Sequence, residues 1–411
     1  MVAQKGAREH FLAARALYRR GMLAQLVTDW YVPAWCSWLW PAGAAQKPVL
    51  RRLSGAMATR CPELPDRLVR PNRLRGLIGK WTEVFMPTAR SAHDRILQAD
   101  RAFIDTVAGL RLPPHDVFFG YSYASLEVLE AERARGVLTV LDQIDPGPVE
   151  FRLVAEEMAA RPELAGSPPS FPKEYYDRLK KEWELADVIA VNSEWSRKAL
   201  IAEGAEPGKI EILPLAYEAG VETLKARSEN PVARTSSAVR VLWLGQVNVR
   251  KGIHYLIEAA RALENEPVHF DVVGPIAILP GVIAAAPRNM TFHGAVSRDQ
   301  AAAWYRQADV FVLPTLSDGF ALTQLEALTY GVPVIATPNC AEVVAHGQTG
   351  FIVPARDARA LADAISEFVR APGLSRFMSA ACRQAVQCYS IDAYGQCLAG
   401  LIERHAAKRM R

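Results

Sequence analysis

The sequence predicts an α/β protein built from two doubly wound, parallel-sheet domains that face each other across a cleft. Three observations carry that prediction. Short apolar runs rich in Val, Ile and Leu alternate with helix-length segments, the pattern of parallel strands covered on both faces. The chain has 411 residues, too many for one ordinary core and enough for two domains of roughly 200 residues each. A polar stretch at 226–237 separates two halves that share this alternation and show no short-period repeat.

The C-terminal half is the more regular. Val239-Arg240-Val241-Leu242-Trp243-Leu244 reads as a buried strand and 253–263 as a helix. Strands follow at 269–273, ended by Gly274-Pro275, and at 290–293; a helix at 298–307 leads to a strand at 309–313. Strands at 333–336 and 350–353 and a helix at 358–369 complete this half. In the N-terminal half, 23–28, 117–120, 137–142 and 188–192 are strand-like, with the clearest helices at 126–135 and 175–185. The expected domains are 1–225 and 238–390, with the helical segment 391–411 crossing back onto the first. Ligands of such sheets bind outside the carboxyl ends of the strands, so the site is expected in the cleft.

Composition narrows the function. Half of the residues are hydrophobic and 22% are charged, a globular balance. The six cysteines, at 36, 61, 340, 382, 388 and 397, form no Cys-x-x-Cys pair. Reduced thiols in a cytoplasmic protein are expected, not zinc or a disulfide framework. No secretory leader pattern opens the chain, and its longest uncharged runs are too short and too proline-broken to span a bilayer. Charge is uneven: residues 1–90 carry 15 Lys/Arg against 5 Asp/Glu, the remainder 33 against 39. Nine of these bases fall between Lys47 and Lys80, just after Trp30, Tyr31, Trp35, Trp38 and Trp40. Basic residues beside Trp and Tyr suit an anionic membrane surface, giving a peripheral location at the inner membrane face; a solvated basic face over buried aromatics is the plainer alternative. No nucleic-acid-binding module accompanies the charge, so nucleic acid is not an expected partner.

Two motifs carry chemistry. In the first, Gly245-Gln246-Val247-Asn248-Val249-Arg250-Lys251-Gly252 lies between a strand and a helix. Gly245 permits the turn, Arg250 can grip a diphosphate bidentately and Lys251 adds a point charge. An exposed basic turn would look similar. In the second, Asp318-Gly319-Phe320-Ala321-Leu322-Thr323-Gln324-Leu325-Glu326 sets two carboxylates eight residues apart, one in a loop and one inside a helix. A carboxylate can accept both hydroxyls of a vicinal diol, and the helix opening between the acids offers free N–H groups to phosphate. The pair therefore suits a sugar nucleotide.

Together with Phe292-His293-Gly294, Asp309-Val310-Phe311-Val312-Leu313-Pro314, Tyr330-Gly331-Val332-Pro333-Val334-Ile335 and Gly347-Gln348-Thr349-Gly350-Phe351, these motifs resemble the retaining nucleotide-sugar glycosyltransferases of family four. The resemblance is specific over about 239–370 and weaker at Asp187-Val188-Ile189-Ala190-Val191-Asn192-Ser193-Glu194. It implies the GT-B fold, a nucleoside diphosphate sugar as donor, and no cofactor or metal. It sends Arg250 and Lys251 to the donor diphosphate, Glu326 to the ribose hydroxyls and Asp318 to the donor sugar. Gly245 would form the phosphate turn, while Gly319 and the backbone of Phe320, Ala321, Leu322 and Thr323 would contact sugar and phosphates.

Three positions depart from the family pattern. Asp318 stands where Glu is usual, Gln246 where Arg is common, and Ala321 adds a methyl group near the donor where Gly is usual. In the first domain Asp142 occupies the position where many relatives place a His facing the donor sugar, though a polar strand end is the bland reading. Residues 6–10 precede a helix and are expected on the acceptor side. His293 and His346 receive no chemistry, and the remaining later histidines are read as structural. The expected activity is retaining transfer to a hydroxyl of a glycan or lipid-linked acceptor in cell-surface glycan or glycolipid synthesis. A nucleotide-sugar epimerase of the same architecture and a non-catalytic scaffold are the alternatives.

Overall fold

A computed structural model describes residues 1–34, 61–71, 92–164, 166, 173–218 and 238–409. The first sheet comprises β1 (Val2–Gln4), β2 (Leu26–Thr28), β3 (Val69–Pro71), β4 (Val117–Tyr121), β5 (Leu138–Gln143), β6 (Val188–Val191) and β7 (Ile210–Ile212). Its helices are α1 (Leu12–Arg19), α2 (Ala92–Ala108), α3 (Leu126–Ala134), α4 (Pro148–Ala160), α5 (Lys173–Leu185) and α6 (Glu194–Ala202). The second sheet contains β8 (Val239–Leu244), β9 (Val268–Val273), β10 (Met290–Gly294), β11 (Val310–Leu313), β12 (Val334–Ala336) and β13 (Gly350–Ile352). Around it lie α7 (Ile253–Ala262), α8 (Pro280–Ala284), α9 (Arg298–Gln307), α10 (Thr323–Thr329), α11 (Ala358–Arg370) and α12 (Leu374–Ala385). The last helix is α13 (Ile391–Arg409).

The strand orders are β3-β2-β1-β4-β5-β6-β7 and β10-β9-β8-β11-β12-β13, and the pairings are parallel. Each order reverses direction once, between β1 and β4 and between β8 and β11. Such a reversal opens a crevice at the carboxyl ends of the two strands, where open α/β sheets bind ligands.

Strand alternation builds the first core. Phe119 and Val140 turn to the face shared with α1 and α13, where Phe11, Leu12, Leu17, Tyr394, Leu398 and Leu401 pack. Their neighbours Phe118 and Leu141 turn to the opposite face, against Ile104, Leu129, Leu179 and Trp183. The C-terminal helix thus completes the core of the first sheet. The second core gathers Val241, Trp243, Phe270, Phe311, Leu325, Leu328, Ile335, Leu361 and Phe368. Burying one such side chain stabilises by about 1.5–3 kcal/mol, so both cores anchor the loops above them.

A smaller apolar cluster joins the halves. Val154, Met158 and Leu164, on and just after α4, meet Val249, Tyr255 and Leu316 of the second half. Polar contacts surround it: the Glu157 carboxylate accepts from Tyr255 Oη at 2.6 Å and lies 3.0 Å from His254 Nε2 and from Arg356 Nε. His254 is buried here and its pKa is lowered to about 4, because burial outweighs the nearby Glu157. Further along the junction, Trp195 Nε1 donates to Ser317 Oγ at 3.0 Å. Helix α4 therefore packs against the loops after β8 and β11.

Trp30 and Tyr31 are buried, the Tyr31 hydroxyl donating to the carbonyl of Cys61 at 2.8 Å. These two aromatics serve the core and cannot enter a lipid interface, which corrects that part of the membrane-surface expectation. Trp35, Trp38, Trp40, most of the basic stretch and the 226–237 linker lie outside the described residues. Among the described residues no helix is long and apolar enough to cross a membrane.

Candidate functional site

The loop after β8 is shaped by glycine. At Gly252, φ is +69° and a Cβ would fall 1.8 Å from the Pro314 carbonyl oxygen, so only glycine fits. The Gly245 turn is crossed by Gly274, where a Cβ would meet the Gly245 oxygen at 1.7 Å. Asn248 Oδ1 accepts from the Lys251 amide at 3.0 Å and closes the loop. Arg250 and Lys251 are thereby fixed at the start of α7, beside the loop that leaves β11.

That second loop runs from Pro314 to the start of α10, tied by the Leu316 amide donating to the Arg250 carbonyl at 2.9 Å. It delivers Asp318, whose carboxylate is bonded by Lys251 Nζ and stands 3.9 Å from Arg250 Nη1. Burial pushes the Asp318 pKa up, but Lys251 and Arg250 outweigh it and hold the carboxyl below its usual range. The Ala321 amide also bonds this carboxylate. Ala321 itself has φ +61° and is buried in the second core. Its methyl group packs with that core.

Two acids the sequence reading passed over complete the cluster. Glu150, in the first turn of α4, has its Oε2 3.3 Å from Arg250 Nη1. Only 14% of its side-chain surface is exposed. Burial pushes its pKa up to about 7; Arg250 opposes the shift, while Asp145 and Asp318 add to it. Asp145 accepts from Tyr123 Oη at 2.8 Å and from the Gly147 amide at 2.9 Å, which positions the entry to α4. Arg250 is raised: burial lowers its pKa, and Glu150 and Asp318 more than reverse that. The only sequence signal for these acids was Pro148 at a helix start with Glu150 two residues on.

Arg250, Asn248, Asp318, Gly319, Glu150, Asp145 and Ile144 line a cavity of about 730 Å³ between the halves, floored by Val154 and Met158. Gly319 makes a close crossing there. A Cβ on it would meet Asn192 Nδ2 at 2.8 Å and the Ile144 carbonyl oxygen at 3.0 Å.

The other candidates stand apart from this cavity. Glu326, inside α10, accepts from Tyr305 Oη at 2.8 Å, and Tyr305 stacks on Tyr330 with centroids 5.5 Å apart. Phe320 is buried edge-on to Tyr389, and Leu322 and Thr323 open α10. Asp142, at the end of β5, is buried where its charge acts on Tyr394 of α13, as does that of Glu9. Near it Glu9, His10 and Phe11 all have positive φ, of 43°, 52° and 61°, a strained left-handed turn. The expected acceptor-side segment therefore neighbours Asp142, whereas Asp145 and Glu150 face Arg250. Among the described residues no three His, Cys, Asp or Glu side chains are placed to hold a metal ion.

Residues 238–371 match the model of the glycosyl transferases group 1 family. The D-inositol 3-phosphate glycosyltransferase of Pseudarthrobacter chlorophenolicus is 30% identical over 196 residues, 44% of this chain and 46% of that one. An uncharacterized 41.2 kDa protein in the cps region of Klebsiella pneumoniae is 27% identical over 178 residues, 42% and 49% of the two chains. The matches thus span about half the length of these curated relatives. Sucrose-phosphate synthase from Thermosynechococcus elongatus superposes with a TM-score of 0.61 over 99% of both chains at 19% identity. Anabaena HepE in complex with UDP gives 0.59 over 98% of this chain and 99% of that one at 16% identity. The fold is GT-B, and its second half carries a glycosyl transferases group 1 domain.

Proposed function

We propose that the protein is a glycosyltransferase that moves a sugar from a nucleoside diphosphate sugar to an acceptor hydroxyl. One observation carries the reading: at the switch point of the second sheet Arg250 lines a cavity that the first half closes, and Lys251 stands behind it, bonded to the cavity-lining Asp318. A departing diphosphate concentrates negative charge, and fixed cations in a water-poor cleft stabilise such charge strongly. Arg250 can take two phosphate oxygens at once, with Lys251 adding a point charge. Asp318, set between these cations and the cavity, would accept donor-sugar hydroxyls once the phosphates draw Lys251 away. Glu326 would take the ribose hydroxyls, with Tyr305 fixing its orientation. The two cations would carry the charge that a metal carries in other transferases, so no metal or cofactor enters the proposed reaction.

The anomeric carbon becomes positively charged as the diphosphate leaves. Attack from the same face, with the leaving phosphate taking the acceptor proton, retains configuration; this step rests on the family resemblance. A uridine diphosphate sugar is the first donor to test, because Anabaena HepE was solved with UDP and with UDP-glucose. The acceptor is proposed to be a glycan or lipid-linked hydroxyl handled at the inner membrane face, in cell-surface glycan or glycolipid synthesis. The excess of Lys and Arg in residues 1–90 supports that location.

The test is nucleotide affinity. UDP, GDP and ADP are titrated into the wild type and into Glu326→Ala. The reading expects one nucleotide to bind and the variant to lose about tenfold or more in affinity, as losing a charge-assisted diol contact implies. Equal affinity in the variant refutes the ribose assignment. Release of nucleoside diphosphate from the matching sugar nucleotide then separates transfer from epimerisation.

A further inference from the structure

Glu150 is an unusual neighbour for a diphosphate site. Its carboxyl shares Arg250 with Asp318: Arg250 Nη1 lies 3.3 Å from Glu150, 3.9 Å from Asp318 and 3.3 Å from the Ser317 carbonyl. The charged groups that face it are Arg250 and Lys251 from the loop after β8, Asp318 from the loop after β11 and Asp145 from the turn before α4. Two cations are thus met by three carboxyl groups, so the site carries no surplus positive charge. A sugar nucleotide brings two more negative charges to Arg250 and Lys251. Asp318 and Asp145 keep other partners, in the Ala321 amide and in Tyr123 and the Gly147 amide. Among the described residues Glu150 has Arg250 as its one side-chain bond partner.

We propose that Glu150 is a positioning residue: its carboxyl holds Arg250 until a donor arrives, surrenders it to the incoming diphosphate, and takes up a proton from solvent as it does so. This rests on the donor-site reading above. The step is balanced, since the carboxylate gains one proton and the Arg250 guanidinium exchanges a carboxylate for a phosphate. Burial supports it, since a carboxyl whose pKa is already raised to about 7 needs little further perturbation to protonate. Between the pKa of the empty and loaded site, donor affinity then falls by up to about tenfold per pH unit. Glu150 also couples the halves: α4 belongs to the first, so releasing Arg250 frees a contact across the cleft.

The experiment is calorimetric titration of the full chain with UDP-glucose, whose diphosphate does not titrate near neutrality. It is run between about pH 6 and about pH 8.5, at each pH in two buffers of different ionisation enthalpy. The wild type should take up close to one proton per donor bound near pH 8, with affinity weakening as pH rises above about 7. In Glu150→Gln the uptake should vanish and the affinity become flat with pH. Donor binding by the wild type without proton uptake overturns the inference and needs no variant; so does equal uptake in Glu150→Gln. Failure of UDP-glucose, GDP-mannose and ADP-glucose to bind at any pH refutes the donor-site reading itself, and this inference with it.

Discussion

Replacing Gly319 with alanine tests whether the two halves must meet at this loop. A Cβ there would stand 2.8 Å from Asn192 Nδ2, 3.0 Å from the Ile144 oxygen and 3.3 Å from Asn192 Oδ1. Comfortable contacts to carbon need about 3.5 Å, so the shortfall is roughly 0.5–0.7 Å. Neither neighbour yields easily. The Ile144 oxygen is backbone; the Asn192 amide donates to that oxygen at 3.2 Å and accepts from Ser196 Oγ at 3.0 Å. Both belong to the first half, and Gly319 to the second, so the least costly relief is to part the halves. Overpacking of this kind costs about 1–3 kcal/mol, which lowers the closed population by roughly 5- to 150-fold. The groups proposed to hold the nucleotide, Arg250, Lys251 and Glu326, all lie in the second half. Gly319→Ala is therefore expected to bind UDP within about threefold of wild type, while donor turnover falls by roughly 5- to 150-fold. Small-angle scattering should show a larger radius of gyration. Turnover within about twofold of wild type, with unchanged scattering, refutes the steric argument.

Four other outcomes are expected. Glu182 is buried and accepts backbone N–H groups from Tyr123 at 2.7 Å, Ser125 at 2.8 Å and Leu126 at 3.1 Å; Glu182→Ala orphans all three. The loss of about 3 kcal/mol or more should lower the melting temperature by roughly 6–12 °C, and an unchanged melt contradicts it. Glu150 has a folded pKa of about 7, above its unfolded value. Its neutral form therefore favours folding fully at low pH, and this stability is lost as pH rises from about 4.5 through about 7. Glu150→Gln mimics that neutral form, so its melting temperature relative to wild type should climb across that window; a constant difference denies the shift. Tyr305→Phe removes the hydroxyl bonded to Glu326 and should weaken nucleotide binding about fivefold, the equivalent of one hydrogen bond; isothermal titration decides. In Ala321→Gly, relief of about 1–2 kcal/mol of left-handed strain is offset by glycine's entropy and a lost buried methyl group. Stability and UDP affinity should both stay within about 1 kcal/mol and threefold; a large affinity change would place the methyl group against the donor.

Much of the second sheet was legible because its parallel strands are buried on both faces and bounded by glycine and proline. The runs read at 239–244, 290–293 and 309–313 became β8, β10 and β11 with shifts of at most one residue. The first half gave less. β1 and β3 are three residues each, too short to show a period, yet β1 lies inside the sheet, between β2 and β4. Helix α4 carries acids and apolar residues on several faces, because one face serves its own domain and another the junction with Val249 and Leu316. No single helical stripe announces such a segment. Glu150 was hidden for the same reason: its role exists only where two loops from the other half arrive. Asp142 was read by its position relative to a pattern, but the chain turns after Gln143 and brings Asp145 and Glu150 to the cations instead.

The pair of acids at 318 and 326 looks symmetrical in sequence and is not so in space. Four residues after Asp318, Gly319 to Leu322, form a turn through left-handed Ala321 before α10 begins at Thr323. Glu326 consequently rides on a helix packed in the second core, with Tyr305 as a neutral partner. Asp318 stays in a loop, bonded to Lys251 and close to Arg250. One acid is oriented by a hydroxyl that need not move; the other is held by the cations a diphosphate must claim. In the proposed reading, donor binding at Asp318 requires an exchange of partners, and binding at Glu326 does not. The short side chain at 318 sharpens this: its carboxylate cannot reach away from Lys251 without the loop moving, and Gly319 ties that loop to Asn192 and Ile144. In that reading the exchange of cations takes place where the halves meet, with Glu150 and Gly319 on the same seam.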